Sequence, residues 1–351
     1  MKSLLGFVFK DIYLSLSVSF LLVLSLVILS SLAPSLFPFY FVLVVVSMLA
    51  FWLFSQLGYE VVAFFSKHLY IISIALLVLT LIIGNVTRGT IRWIPIGPFN
   101  LQPAEIARPF LLVFFAEYLT KENMTAKRFI TSLGLLLLPV GLILVQPSLG
   151  VSILTSAGFL GVLVASRFNK KYILVGLVLA VAAIPLFWQI MAPYQRQRVT
   201  SFLGAGADPL GADYNSIQSQ IAAGAGGLSG RGLGKGIQTQ LSFLPAKQTD
   251  FIFSSVGEEL GFIGAGLMLL ATFTILFRLT VFMEKAINPS ARAFLSGLFV
   301  TYLLQVFIHA GMNLGILPVT GIPFPLVSAG GSSLLATMIA LGIAAGSYKG
   351  K

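Results

Sequence analysis

Of the chain's 351 residues 57% are hydrophobic and only 9% charged, and 22 Lys and Arg against 11 Asp and Glu leave a formal charge of +11. A soluble domain carries roughly a quarter charged residues, so a mean hydropathy of +0.98 excludes a water-soluble fold. No soluble basic region exists to present to nucleic acid, which leaves lipid headgroups as the anions this charge faces. With no Cys in the chain, disulfides, thiolate metal sites and a Cys nucleophile are excluded as well.

A helix of about 20 apolar residues crosses a hydrocarbon core. About ten such stretches are expected, at 13–33, 38–57, 69–85, 105–120, 129–145, 150–166, 172–191, 259–283, 293–312 and 331–347. The expected fold is therefore all-α, one polytopic membrane domain over 1–351 with a large extracytoplasmic loop, about 192–250, between the seventh and eighth spans. The apolar run before Asp11 is too short for a cleavable signal, so the first span is expected to stay as an anchor. Threading the spans puts Lys2, Lys10, Lys67, Lys121, Lys127, Arg128, Arg167, Lys170, Lys171, Lys285, Arg292, Lys349 and Lys351 on one side, with Arg278 near it. The positive-inside rule makes that side cytoplasmic and places both termini there. The other side holds 86–104, the Gln146–Gly150 turn, the long loop and 313–330.

The chemistry-bearing residues lie mostly on that other side. Glu105 and Arg108, spaced i to i+3 where the fourth span begins, share one helix face and form a plausible ion pair. Charges at such depth face a polar cavity or a partner, and a structural tie between helices explains them equally well. The run Gly224–Gly236, with Arg231 and Lys235 embedded, superficially resembles a phosphate loop. The spacing GxxxxGK[ST] fails because Gly236 follows Lys235, and no βαβ unit surrounds it. Its glycines would let backbone amides approach a pyrophosphate, and a flexible surface loop is the plainer reading. Asp250, in the stretch Leu244–Phe253, is a lone carboxylate beside a helix start. Thr249 or Asp250 is expected to cap that helix, while an ionised Asp at a membrane rim is also able to take a proton from a hydroxyl. The segment Gly321–Ser333 enters the last span with prolines that hold it extended and with Gly330 and Gly331, which allow close packing. His68 and His309 are isolated and receive no role.

Taken in order, Arg92-Trp93-Ile94 through Gln102-Pro103-Ala104-Glu105, Gln146-Pro147, Tyr194 to Arg198, Gln218-Ser219, the Gly-rich run, Leu244-Pro245 with Thr249 to Phe253, Glu258 to Gly261 and the Pro-Gly segment resemble the SEDS family (shape, elongation, division and sporulation), and its rod-shape branch rather than its division branch. The agreement spans most of 84–347. The resemblance implies ten spans and a peptidoglycan glycosyltransferase that polymerises lipid II on the outer face of the bacterial cytoplasmic membrane. The implied partners are the growing glycan strand and a single-span class B penicillin-binding protein that cross-links strands. It implies Asp250 as the catalytic position, the general base for the incoming 4-hydroxyl, with Glu105 and Arg108 lining a central cavity. Trp93, Gln102, Ser328, Gly330 and Gly331 join the substrate-binding candidates on the same ground. Arg196, Arg198, Arg231, Lys235 and Lys247 are candidate cations for the pyrophosphate. A divalent ion, Mg or Mn, is compatible with that leaving group, although no ligand cluster identifies one. Departures from the family pattern are Arg108 for Lys, Ser148 for the Asp after Gln-Pro, Ile237 for Thr, Ala246 for Glu and Gln248 for His. Two rival functions remain at this level, a flippase for the lipid-linked precursor with Glu105 and Arg108 in its pathway, and a scaffold for the cross-linking partner.

Overall fold

The computed structural model describes residues 11–87, 90–96, 99–122, 125–166, 193–204 and 213–348, with a few single positions between 185 and 211. In chain order the elements are α1 (Ile12–Leu32), α2 (Phe37–Phe64), α3 (Ser66–Ile83), the strands β1 (Asn85–Thr87), β2 (Thr90–Ile96) and β3 (Phe99–Leu101), then α4 (Pro103–Thr120), α5 (Ala126–Val145), α6 (Leu149–Ala165), α7 (Pro193–Leu203), α8 (Tyr214–Ala225), α9 (Ile237–Gln240), α10 (Ile252–Lys285), α11 (Pro289–Asn313) and α12 (Gly331–Ser347). The chain is an all-α polytopic membrane protein. Six of the described helices, α1, α2 with the turn before it, α3, α5, α10 and α11, are long and apolar enough to cross a bilayer, and α6 and α12 are shorter apolar helices. Each expected span except one falls on one of these or on α4; the span expected over 172–191 lies almost wholly outside the described residues. The structure adds one element to the all-α reading. Residues 85–101 form a small antiparallel sheet in the order β1-β2-β3.

Two compact units make up the chain, one of residues 1–167, 268–305 and 325–351, the other of residues 168–267 and 306–324. In the first, large apolar side chains stay exposed along α2 and α3, Val42, Val45, Val46 and Leu49 on one and Ile71, Ile72, Val78, Leu79 and Ile82 on the other. In water such patches would drive association; against acyl chains they are at home. The buried faces of these two helices include Ser47 and Ser55 on α2 and Ser66, Ser73 and Thr80 on α3, small polar residues of the kind expected where lipid gives helices no hydrophobic reason to associate. A Cβ built on Gly161 of α6 would stand 2.8 Å from the Ser296 carbonyl of α11, so these backbones touch. Asp11 caps α1 by accepting from Leu14 N–H at 2.8 Å and also receives the Arg278 Nε–H at 3.0 Å, with a second guanidinium contact from Nη2. One buried carboxylate thus satisfies a helix terminus and a cation at once.

In the second unit, α10 opens with Ile252 rather than at 259, and the backbone at Gly261 leaves helical geometry with φ +70° and ψ −168°. Only a residue without a Cβ holds that conformation readily. The kink divides a polar first segment, which carries Glu258 and Glu259, from the apolar span that follows, and it frees carbonyls that a straight helix would use. The Gly-rich run takes them. Arg231 N–H donates to Glu258 C=O at 2.9 Å and Gly232 N–H to Glu259 C=O at 3.0 Å, while Phe262 and Ile263 N–H return to Gly227 and Leu228 C=O at 2.9 and 3.1 Å. The run is therefore a backbone clasp around the kink, which corrects both the flexible-loop and the phosphate-cradle readings of those amides.

Candidate active site

Asp250 lies just before α10 and is half-buried. The first intrahelical bond of α10 runs from Ser255 N–H to Phe251 C=O at 3.0 Å, which makes Phe251 the capping position and Ser254 the third helical residue. Phe251 has no side-chain acceptor, and the Ser254 amide is satisfied from elsewhere in the chain, by Asn313 Oδ1 at 3.0 Å. The cap that sequence reasoning gave to Thr249 or Asp250 is, at this amide, supplied by α11. Upstream, the N–H groups of Thr249, Asp250 and Phe251 converge on the Ala246 carbonyl at 3.0, 3.1 and 3.3 Å, and Ala246 itself adopts φ +51°, sparsely populated for a residue with a Cβ.

The carboxylate of Asp250 and the guanidinium of Arg198 share a neighbour. A Cβ built on Gly321, where φ is +72°, would stand 3.7 Å from Asp250 Oδ2 and 3.9 Å from Arg198 Nη1. Arg198 Nη1 also donates to Val319 C=O at 3.0 Å, which ties the loop before Gly321 to α7. Of the five candidate cations, Arg198 is the one these distances bring to Asp250. Arg196 donates to Gln189 C=O, Arg231 Nε to Ala225 C=O at 3.1 Å, and Lys235 is exposed beside the clasp.

Lys247 belongs to a neighbouring network in the same unit. Its Nζ donates to Thr239 C=O, and burial lowers its pKa from the ordinary lysine value against the opposing pull of Glu259 and Glu258. Those two carboxylates are fully buried. Glu258 accepts from Gln238 N–H at 2.8 Å and Thr239 N–H at 2.9 Å, and Glu259 Oε1 accepts from Gln240 Nε2 at 2.8 Å. They hold α9 against α10.

The other candidates lie in the first unit. Arg108 Nη2 stands 3.1 Å from Glu105 Oε2, with side chains 6% and 3% exposed, and donates to Gln305 Oε1 at 3.3 Å. Arg108 Nη1 and the hydroxyl of Tyr302 are buried without hydrogen-bond partners among the described residues. Both residues border a cavity of about 20 Å³, room for about one water, so a larger group could enter only if it widens. Gln102 is spent structurally, its N–H on Ser332 Oγ at 2.8 Å and its Nε2 on Ser148 Oγ at 3.2 Å. Ser148 Oγ is thus a neutral acceptor for Gln102. Ser328 C=O accepts from Tyr40 Oη at 3.2 Å and from Gly330 N–H at 2.7 Å. Gly331 packs on Leu43, and Trp93 on β2 lies beside the Arg92 guanidinium, 5.9 Å from its ring centroid. Among the described residues no group of three or more His, Asp or Glu gathers.

A family model described as "Cell cycle protein", for FtsW, RodA and SpoVE, matches residues 7–347. The chain belongs to this family. It is 40% identical over 281 residues to the peptidoglycan glycosyltransferase MrdB of Escherichia coli strain K12, covering 79% of this chain and 76% of that one. To a probable peptidoglycan glycosyltransferase FtsW of Aliivibrio salmonicida it is 35% identical over 286 residues, covering 80% and 71%. Among solved structures, a chain of a peptidoglycan synthase complex that coordinates polymerization and crosslinking superposes with a TM-score of 0.82 at 32% identity, covering 95% of this chain and 96% of that one. The rod shape determining protein RodA of Thermus thermophilus superposes with a TM-score of 0.71 at 28% identity, covering 95% of both. The FtsW/RodA/SpoVE fold thus carries the Asp250 and Glu105 clusters described above.

Proposed function

We propose that the chain is a peptidoglycan glycosyltransferase that polymerises lipid II during cell elongation, with Asp250 as its general base. The relatives' names supply the activity. The observation that carries the residue assignment is the placement of a half-buried carboxylate beside Arg198 and Gly321, on backbone anchored both upstream and by α11. In the reaction, the GlcNAc 4-hydroxyl of the incoming lipid II attacks the MurNAc anomeric carbon of the lipid-linked strand. The new O–C bond forms as the anomeric C–O bond to the lipid pyrophosphate breaks, and the hydroxyl proton passes to Asp250. Attack from the face opposite the leaving group turns an α-linked donor into a β-linked product. Charge grows on the pyrophosphate, and a nearby guanidinium stabilises it best if it is already in place, a role that falls to Arg198.

Glu105 and Arg108 would serve substrate or strand from the first unit, Arg108 Nη1 being the donor held in reserve. The loop side of the membrane is the extracytoplasmic one in this reading, with both termini cytoplasmic, and a class B penicillin-binding protein cross-links the strands produced. Purified protein in liposomes loaded with lipid II tests the reading directly. Polymer formation is the expected result. Translocation of lipid II without polymer would replace the enzyme by a flippase, and neither product would leave a scaffold.

A further inference from the structure

Asn313, the last residue of α11, is fully buried and was given no part by the sequence. Its amide makes three bonds to main-chain groups, and their polarity fixes which way it faces. Ser254 N–H is only a donor, so it must meet Oδ1, at 3.0 Å. The carbonyls of Asp250 and His309 are only acceptors, so they must meet Nδ2, at 3.0 and 2.8 Å. The assignment of oxygen and nitrogen, ambiguous for many amides, is settled by these partners. Its own carbonyl accepts from Ser219 Oγ at 3.0 Å and Ser254 Oγ at 3.4 Å, which adds α8 to the same junction.

One side chain therefore fastens the main chain on both sides of the α10 start: the carbonyl of Asp250 before it and the amide of Ser254 within it. One turn earlier on α11, His309 Nδ1 meets Ile322 C=O at 2.7 Å, so the end of this helix also holds the loop that brings Gly321 to the Asp250 carboxylate. We infer that Asn313 is a positioning residue for catalysis, setting the direction of the Asp250 carboxylate through its backbone; this rests on Asp250 being the general base. Asn alone combines the acceptor and the two donors at this reach. Asp keeps the size and the acceptor but faces two carbonyls with oxygen, and Ser is too short to span both sides.

The test is a double-mutant cycle on lipid II polymerisation, with Asn313→Asp and, to avoid a new buried charge, Asn313→Ser, each alone and combined with Asp250→Asn. If Asn313 acts through the carboxylate, each single variant lowers kcat by about a hundredfold, the scale of a 1 Å misplacement, with KM for lipid II nearly unchanged. In the Asp250→Asn background the same changes then have almost no further effect. An unchanged kcat in either folded variant would overturn the proposal, and so would an equal loss in both backgrounds, which marks a purely structural residue. Should Asp250→Asn itself keep full activity, the general-base reading fails, a result distinct from either of these.

Discussion

Removing one member of the Glu105–Arg108 pair should cost far more than removing both. The side chains are 3% and 6% exposed and 3.1 Å apart, and breaking such a buried pair from one side typically costs about 3–5 kcal/mol, because the partner's charge stays buried without compensation. In Glu105→Ala, Arg108 would keep only the neutral Gln305 oxygen, 3.3 Å from Nη2. In Arg108→Ala, Glu105 would keep no cation. Replacing both, as Glu105→Ala with Arg108→Ala, removes the two desolvation penalties along with the attraction, and the double variant should lose less than either single one. Equilibrium unfolding in mixed micelles gives the four free energies of the cycle, and a coupling of at least about 3 kcal/mol is expected. Single variants that each lose less than about 1 kcal/mol, or a double variant as unstable as the sum of the singles, would refute the reasoning. Polymerisation reads the second half of the claim. A stable double variant that remains slow places the pair in the reaction, whereas recovered activity makes it a structural tie.

Arg198→Ala should lower polymerisation more than Arg198→Lys, since Lys keeps the charge beside Asp250 but not the planar fork; equal rates for the two would remove the guanidinium from the mechanism. Gly261→Ala should abolish folding or expression, because φ is +70° there and the added Cβ would stand 2.2 Å from Gly230 N; wild-type melting of this variant would contradict the clasp. For Lys247, a folded pKa below 10.5 means the unfolded chain binds the extra proton between the lowered value and 10.5, so the group's contribution rises with pH across that window. The stability of the wild type relative to Lys247→Met should therefore climb as pH rises toward 10.5, and a flat difference would show that burial does not perturb the ammonium.

The membrane helices were legible because each needs only a local apolar run of sufficient length. Where the sequence misled, the partner was distant. The eighth span was expected to open at 259, which left Glu258 and Glu259 at its edge, yet their oxygens are taken by amides of α9 about twenty residues earlier, and α10 begins at Ile252. The Gly-rich run showed its composition but not the kink it clasps. The strands at 85–101 are too short for their alternation to stand out. Glu105 with Arg108 was visible from i, i+3 spacing alone, whereas Gln305 on another helix was not. Asp250 was found, but its capping partner Asn313 lies 59 residues from Ser254 and carries no local signature. The nearest thing to a local signal is that Asn313 closes α11 two residues before Gly315, where φ is +73°.

The most direct measurement is strand synthesis from lipid II by Asp250→Asn, at protein and partner concentrations matched to the wild type and read as glycan length on a gel. Asn keeps the backbone and the side-chain size, and the Ser254 amide keeps its bond to Asn313, so expression and melting should be unchanged. An amide cannot accept the hydroxyl proton, and polymerisation is expected to fall by roughly a hundredfold or more. Near-normal polymer from a well-folded Asp250→Asn protein would contradict the assignment of the base.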